Sequence, residues 1–237
     1  GKGTINQAMW SPDGSQIAVA SSLGIYFYNA ESFELIQFLD TGAWVAILEY
    51  SPDGKSLAAG LENGSLQVWD VRNGTMLYAI QATDTTDVRS LAFSPDGSSF
   101  ASASAEDVIK LWRSSDGSLV KTFSGPEDGM RAVDFSSDGS LLVSWDKYET
   151  EIHFWDISSG NLLRTESFQG DAVYDLSFSP LNNLLGLSDR SGAWGIWEVT
   201  ASSSINRSGP NQDFDYAIID INFSPDGSLV AVGSFDK

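Results

Sequence analysis

Cysteine is absent from the 237 residues, which removes disulfides, thiol nucleophiles and cysteine-held metals from consideration. A cysteine-free chain is compatible with any redox compartment. Histidine occurs once, as His153, and it has no companion at metal-ligand or catalytic spacing. Positive charge is scarce: 13 Lys and Arg stand against 32 Asp and Glu, a net charge of −19. That balance opposes contact with phosphates, so nucleic acid is not an expected partner, and neither is an anionic membrane surface. No apolar run approaches the ~18 residues of a membrane-crossing helix, so membrane insertion is not expected, and no signal peptide is recognisable. The chain also lacks G-x-S-x-G, a P-loop, H-E-x-x-H and an EF-hand loop. Gly1-Lys2-Gly3-Thr4 resembles a phosphate loop only superficially, because no helix pattern follows it.

What is present is a core-forming composition and a strong repeat. Hydrophobic residues make up 42% and aromatics 12%, enough for a folded domain rather than a disordered chain. Ser-Pro-Asp-Gly occurs at 11–14, 51–54, 94–97 and 224–227, with degenerate copies at Ser136-Ser137-Asp138-Gly139 and Ser179-Pro180-Leu181-Asn182. The leading serines are 40, 43, 42, 43 and 45 residues apart. A second marker keeps the same beat, since Tyr28, Trp69, Trp112, Trp155 and Trp197 are separated by 41, 43, 43 and 42 residues.

The third repeat shows what each unit encodes. Val88, Leu91 and Phe93 mark a first strand that departs from strict alternation, as a strand buried on both faces can. Pro95 presets φ, Asp96 favours a tight turn, and Gly97 accepts the positive φ that closes it. The small-residue run 98–104 makes a second strand that neighbours can approach closely. After Glu106-Asp107 a third strand follows at 108–112, with Ile109 and Leu111 on one face and Val108, Lys110 and Trp112 on the other. The turn 114–118 leads to an outer strand at 119–123. A four-stranded meander cannot bury both faces alone, so repetition around an axis supplies the missing contacts.

Periods of ~40–45 residues with Trp69-Asp70 and Trp155-Asp156 resemble the WD-repeat β-propeller family. Trp112-Arg113, Trp197-Glu198 and Tyr28-Asn29 vary the dipeptide. The resemblance implies an all-β fold: a β-propeller of four-stranded antiparallel blades, five complete, plus a two-stranded partial sixth (218–223 and 228–235). The whole chain then forms a single propeller domain with repeats at about 4–42, 43–85, 86–128, 129–170, 171–213 and 214–237. The unfinished sixth blade leads us to expect either a piece of a longer propeller or self-association through that blade. Blades of this family commonly carry a Gly-His pair and a turn Asp that join a Ser or Thr and the Trp in a buried relay. Here the Gly-His slot reads Asp40-Thr41, Thr83-Asp84 and Gly125-Pro126, and the turn Asp reads Asn63, Glu106, Glu149 and Ser191. A missing or rewired relay is therefore expected. His153, by parity, shares a face with Trp155 and Glu151 and reads as a surface or half-buried blade residue.

The resemblance further implies a non-catalytic protein-interaction scaffold without a cofactor. Acids and aromatic rings gather in loops that enter inner strands and in turns between second and third strands, which share one rim. The candidate binding residues are Trp44, Asp84, Asp87, Asp128, Tyr148, Asp171, Tyr174, Asp215 and Tyr216, with Asp40, Glu62, Glu106, Glu127, Asp189 and Asp213 among the further rim acids. Such a rim suits a partner protein or peptide of basic character, through steering and aromatic anchoring. The acids at the opposite rim, Asp13, Asp53, Asp96, Asp138 and Asp226, are explained by turn chemistry. Two alternatives stay open: a structural module that assembles through its incomplete blade, and a propeller hydrolase or carbohydrate-binding module. Hydrolysis needs two carboxyls about 5–9.5 Å apart across a cleft, for which Asp84/Asp87 and Asp213/Asp215 are the pairs in sequence. The composition leans toward an exported bacterial protein with its leader removed, with a cytoplasmic location also open.

Overall fold

A computed structural model describes residues 1–84, 87–104, 106, 108–125, 130–146, 151–167 and 173–234. All regular structure among them is β. Two compact units divide the chain, residues 1–122 and 123–237.

The first unit carries three blades. Blade 1 is β1 (Ile5–Trp10), β2 (Gln16–Ser21), β3 (Gly24–Asn29) and β4 (Leu35–Leu39). Blade 2 is β5 (Val45–Tyr50), β6 (Ser56–Leu61), β7 (Ser65–Asp70) and β8 (Met76–Gln81). Blade 3 is β9 (Val88–Phe93), β10 (Ser99–Ser104), β11 (Val108–Arg113) and β12 (Leu119–Ser124), whose last strand runs across the boundary between units. In the second unit, blade 4 is β13 (Met130–Phe135), β14 (Leu141–Asp146), β15 (Glu151–Asp156) and β16 (Leu162–Ser167). Blade 5 is β17 (Val173–Phe178), β18 (Leu184–Asp189), β19 (Ala193–Val199) and the longer β20 (Ser204–Gln212). A final pair, β21 (Ile218–Phe223) and β22 (Val230–Ser234), makes a two-stranded sheet. Every sheet is an antiparallel meander in chain order, the arrangement of propeller blades.

The Ser-Pro-Asp-Gly turns satisfy themselves, which is why the tetrapeptide recurs. In blade 3, Ser94 Oγ donates to Asp96 Oδ1 at 2.6 Å and accepts the N–H of Ser99 at 3.0 Å. Asp96 Oδ1 in turn accepts the N–H of Ser98 at 2.9 Å, and Gly97 sits at φ 69°. The same pattern holds the turns at Ser11–Gln16, Ser51–Ser56, Ser136–Leu141 and Ser224–Leu229. These bonds hold Asp13 and Asp226 down at about 2, the serine hydroxyls being the largest cause.

The broken alternation of the inner strands has a different cause from burial on both faces. Each inner strand carries a bulge at its second residue: Ser104 pairs with Val88 while Ala103 pairs with Ser90, so Arg89 is skipped. The register jumps at the same place in β1, β5, β13, β17 and β21. One extra residue shifts the parity, so Val88, Leu91 and Phe93 all face inward.

Inner strands are also sheet edges, with open N–H and C=O groups that need partners. Side chains of the preceding blade supply several of them. Asn6 Nδ2 donates to the carbonyl of Val45 at 2.8 Å, and Gln7 Oε1 accepts the N–H of Leu48 at 2.6 Å. In the second unit, Asp134 Oδ2 accepts the N–H of Phe178 at 2.7 Å, and Asp175 Oδ2 accepts that of Ile221 at 3.0 Å. Between these contacts lie layers of apolar side chains. Leu48, Leu57, Leu61 and Trp69 pack with Ile25 and Phe27 of blade 1. In the second unit, Val143, Trp145 and Phe154 pack with Leu176, Leu185 and Leu187 of blade 5. Small residues permit the approach: a Cβ on Gly60 of β6 would lie 2.7 Å from Val88 of β9. Arg164 adds a polar tie in the second unit, stacking on Phe154 at 3.8 Å and donating to the carbonyls of Thr200 and Ala201.

Candidate functional site

Within the first unit, the loops into β5 and β9 and the turns β2–β3, β6–β7 and β10–β11 lie at one end of the blades. Trp44 precedes β5 and is half-buried; its carbonyl accepts the N–H of Glu62 at 3.0 Å, which ties this loop to the β6–β7 turn. The indole N–H of Trp44 is buried with no acceptor among the described residues, so what the ring offers to solvent is carbon. Asp40, Glu62 and Asp84 are exposed, and Asp87 is half-buried against Arg89 at 3.4 Å. Exposed acids beside a half-buried ring make an apolar anchor with negative surroundings.

Glu106 is no free rim acid. Its Oε1 accepts the hydroxyl of Thr83 at 2.6 Å and the N–H of Asp84 at 3.3 Å, and Lys110 lies 3.5 Å from Oε2. Burial opposes its ionisation, yet these donors together hold the carboxyl below its usual range. Lys110 also donates to the carbonyl of Ala82. The cluster pins the loop that carries Asp84 to the β10–β11 turn.

In the second unit, Tyr174 occupies the bulge of β17 and is half-buried, while Asp215 and Tyr216 are exposed in the β20–β21 loop. Tyr216 keeps 62% of its surface. Gly192 lets this loop lie across the β18–β19 turn: a Cβ there would come within 2.3 Å of the Phe214 carbonyl and 2.8 Å of the Tyr216 carbonyl. Trp194, which the sequence reading did not single out, donates its indole N–H to Asp213 Oδ2 at 3.0 Å. Asp189, expected on the rim, is fully buried instead. Its Oδ1 caps the turn by accepting the N–H groups of Ser191 and Ala193 at 2.9 and 2.8 Å. Asp128, Tyr148 and Asp171, with Glu127 and Glu149, lie outside the described residues.

His153 is 1% exposed, more deeply set than a surface or half-buried residue, because β15 is an interior strand of its sheet. Its Nδ1 lies 3.0 Å from Thr165 Oγ1, and its ring is 6.3 Å from that of Trp155, as the parity implied. The expected relay is rewired rather than lost. Trp112 Nε1 donates to Ser102 Oγ at 2.8 Å and Trp155 Nε1 to Ser144 Oγ at 2.9 Å, so the Trp–Ser half persists without histidine. Among the described residues no group of three His, Asp or Glu side chains could hold a metal ion.

The four-stranded meanders, the self-capped Ser-Pro-Asp-Gly turns and the Trp on the third strand define a WD-repeat β-propeller. The chain belongs to the family described as nucleolar protein 10-like, N-terminal domain, whose family model matches residues 30–157, just over half of the sequence. A second family model, described as WD domain, G-beta repeat, matches residues 210–237. Among solved structures, the crystal structure of the computationally designed Ika8 protein is similar, with a TM-score of 0.77 at 20% identity. That match covers 97% of this chain and 68% of the designed one, a likeness of fold alone. Propellers of the WD class generally serve as protein-interaction scaffolds.

Proposed function

We propose that this propeller is a non-catalytic scaffold that binds a basic segment of a partner protein at the loop end of blades 1 to 3. Trp44 serves as the apolar anchor, and Glu62, Asp84 and Asp87 as the carboxylates that steer and hold the partner's cations. The observation that carries this reading is the exposure of Glu62 beside the half-buried Trp44, whose carbonyl accepts the Glu62 N–H, together with the exposure of Asp84 in the loop into β9. The cations of the same loops are already committed, Arg89 to Asp87 and Lys110 to Glu106. With a net charge of −19 behind them, these carboxylates would speed encounter with a basic partner and lose that effect in salt, where the screening length falls to about 8 Å at 0.15 M. Tyr174, Asp215 and Tyr216 are proposed as a second patch of the same character.

The test is a titration of fluorescent Lys/Arg-rich peptides against the wild type and the triple variant Glu62→Gln, Asp84→Asn, Asp87→Asn, with an acidic peptide as control. We expect at least tenfold weaker binding in the variant and in high salt. Binding of a basic peptide unchanged by both would remove the proposal.

A further inference from the structure

Blade 1 places a large apolar residue where its neighbours place glycine. The turns between third and fourth strands close alike in blades 1 to 4. The N–H groups of Phe33, Gly74, Gly117 and Gly160 donate to the carbonyls of Asn29, Asp70, Arg113 and Asp156, at 2.9, 2.9, 2.9 and 2.8 Å. The closing residue has a positive φ each time, 56° at Phe33 and 66°, 70° and 80° at the three glycines. Phe33 alone carries a side chain there, and the left-handed backbone strains it. Packing gives little in return, because Phe33 keeps 67% of its surface. In blades 2 and 3 the same slot lies against the preceding outer strand: a Cβ on Gly74 would come 2.9 Å from Leu39, and one on Gly117 2.7 Å from Tyr78.

The ring continues an apolar ridge. A bulge in β4 leaves Ile36 without a partner in β3, since Leu35 pairs with Tyr28 and Gln37 with Phe27. The extra residue lets Leu35 and Ile36 both face outward, 47% and 51% exposed. β8 and β16 begin with the same bulge and exposed pairs, Met76-Leu77 and Leu162-Leu163, so Phe33 is what blade 1 adds. β4 is also the last strand of its sheet, with main-chain groups open along its outer edge. Unlike β12, β16 and β20, it holds no charged residue. Charge around the ridge is mostly of one sign. Glu31 and Glu34 flank Phe33 and are exposed, and Lys and Arg are absent from residues 4–42. Lys2 is bonded to the Tyr28 hydroxyl at 2.7 Å, and the blade 2 turn that meets β4 at Gly74 brings a single cation, Arg72.

We propose that Phe33, Leu35 and Ile36 form a docking ridge for a basic, apolar-bearing segment of a partner protein, with Phe33 as the anchor and Glu31 and Glu34 as its charge complement. Backbone strain that persists without an internal contact points to an external one. A large exposed ring beside two aliphatic side chains is the kind of anchor that carries binding energy. A second copy of this chain is the poorer occupant. A two-fold interface would set Glu31 and Glu34 against their own kind, and each copy carries −19. The ridge lies at the opposite end of β4 from the loop that carries Trp44, so it stands apart from the site proposed above.

The test titrates a fluorescent peptide of alternating Leu and Lys, with Leu/Glu and Ser/Lys peptides as controls. The parent is the whole chain carrying Glu62→Gln, Asp84→Asn and Asp87→Asn, which silence the loop-end site. The Leu/Lys peptide should bind the parent about tenfold more tightly than either control, and Phe33→Asn should weaken it about tenfold. Asparagine accepts the left-handed backbone, so the same substitution should leave the thermal midpoint level or raise it, whereas a ring needed by the fold would lower it. Ile36→Ser repeats the binding test without touching the turn, and Leu77→Ser in β8 should change nothing. Equal binding of the three peptides overturns the ridge, as does undiminished binding in Phe33→Asn and Ile36→Ser, or a clearly lowered midpoint in Phe33→Asn. A parent that dimerises in sedimentation velocity and loses the dimer on Phe33→Asn also overturns it, because the ridge would then belong to a second copy.

Discussion

Trp112 and Ser102 form a hydrogen bond across two strands of blade 3, the indole N–H donating to the hydroxyl at 2.8 Å in a buried setting. In blade 2 the matching ring is Trp69, and the residue that takes the place of Ser102 is Ala59, each lying two residues beyond the partner of its tryptophan in the ladder. The Trp69 indole N–H is consequently buried with no acceptor among the described residues. Ala59→Ser would place a hydroxyl where blades 3 and 4 already have one. A restored bond of this kind contributes about 1 kcal/mol, and a buried donor left unmade costs about 1–3 kcal/mol. We expect Ala59→Ser to raise the thermal midpoint and Ser102→Ala to lower it, both read by calorimetry. A drop in both would mean that the Ala59 pocket has no room for an oxygen.

Tyr50 carries a second orphan. It is 4% exposed, and its hydroxyl has no partner among the described residues. Burial, and then the nearby charge of Asp13, push its ionisation well above the usual phenol range. The same ladder position is Phe93, Phe135, Phe178 or Phe223 in other repeats, where a ring without a hydroxyl fills the space. Tyr50→Phe should leave the fold unchanged and stabilise it by up to about 1 kcal/mol, since an unpaired buried hydroxyl is removed at constant shape. Chemical denaturation at constant slope is the measurement. A loss of 1 kcal/mol or more would show that the hydroxyl has a partner in solution.

The fold was legible because its signals are local and repeated. Ser94, Asp96 and Gly97 specify a turn within six residues, and Trp112 returns at a fixed distance from it. Pairing registers were less legible: the bulge at Arg89 leaves only an i, i+3, i+5 pattern, which burial on both faces explains equally well. Rim residues divided along the same line. Asp84 and Tyr216 are exposed as loop position suggests, but Asp189 is buried, because a carboxylate that caps its own turn has the same sequence surroundings as one that faces solvent. Asp175 could have been suspected from an acid inside the otherwise strand-like run Val173–Phe178. Its bond to the Ile221 N–H spans 46 residues, and no local pattern encodes it.

Gly192 controls the second rim patch. Its φ is +86°, and a Cβ would collide with two carbonyls of the β20–β21 loop. The backbone conformation alone costs about 1–3 kcal/mol for a non-glycine residue. Gly192→Ala should therefore lower the thermal midpoint and lift the loop that carries Asp215 and Tyr216. Chymotrypsin would then cut after Tyr216 faster than in the wild type under native conditions. Unchanged cleavage and midpoint together would mean that the loop is not held by this turn.

Asp134 gives the fold an unusual pH dependence. It is half-buried, its two oxygens accept the N–H groups of Phe135 and Phe178, and the cost of removing its charge from water pushes it up to about 6 in spite of those donors. An acid raised in the folded state binds its proton more tightly there than in the unfolded chain, so stability falls as pH rises from about 4 through 6, by at most about 1.4 kcal/mol per unit for one group. The turn acids act in the opposite sense. Asp13, Asp53 and Asp226 are held at about 2, and what they contribute above 4 is lost as pH drops through their folded values. The thermal midpoint should therefore peak in mild acid, between about pH 4 and 5, rather than near neutrality. Asp134→Asn removes the titrating group, and its midpoint should change less between pH 4 and 6 than that of the wild type. Scanning calorimetry from pH 3 to 8 on both proteins measures the difference. Parallel curves would show that Asp134 ionises alike in the folded and unfolded chain, and that its position is open to water.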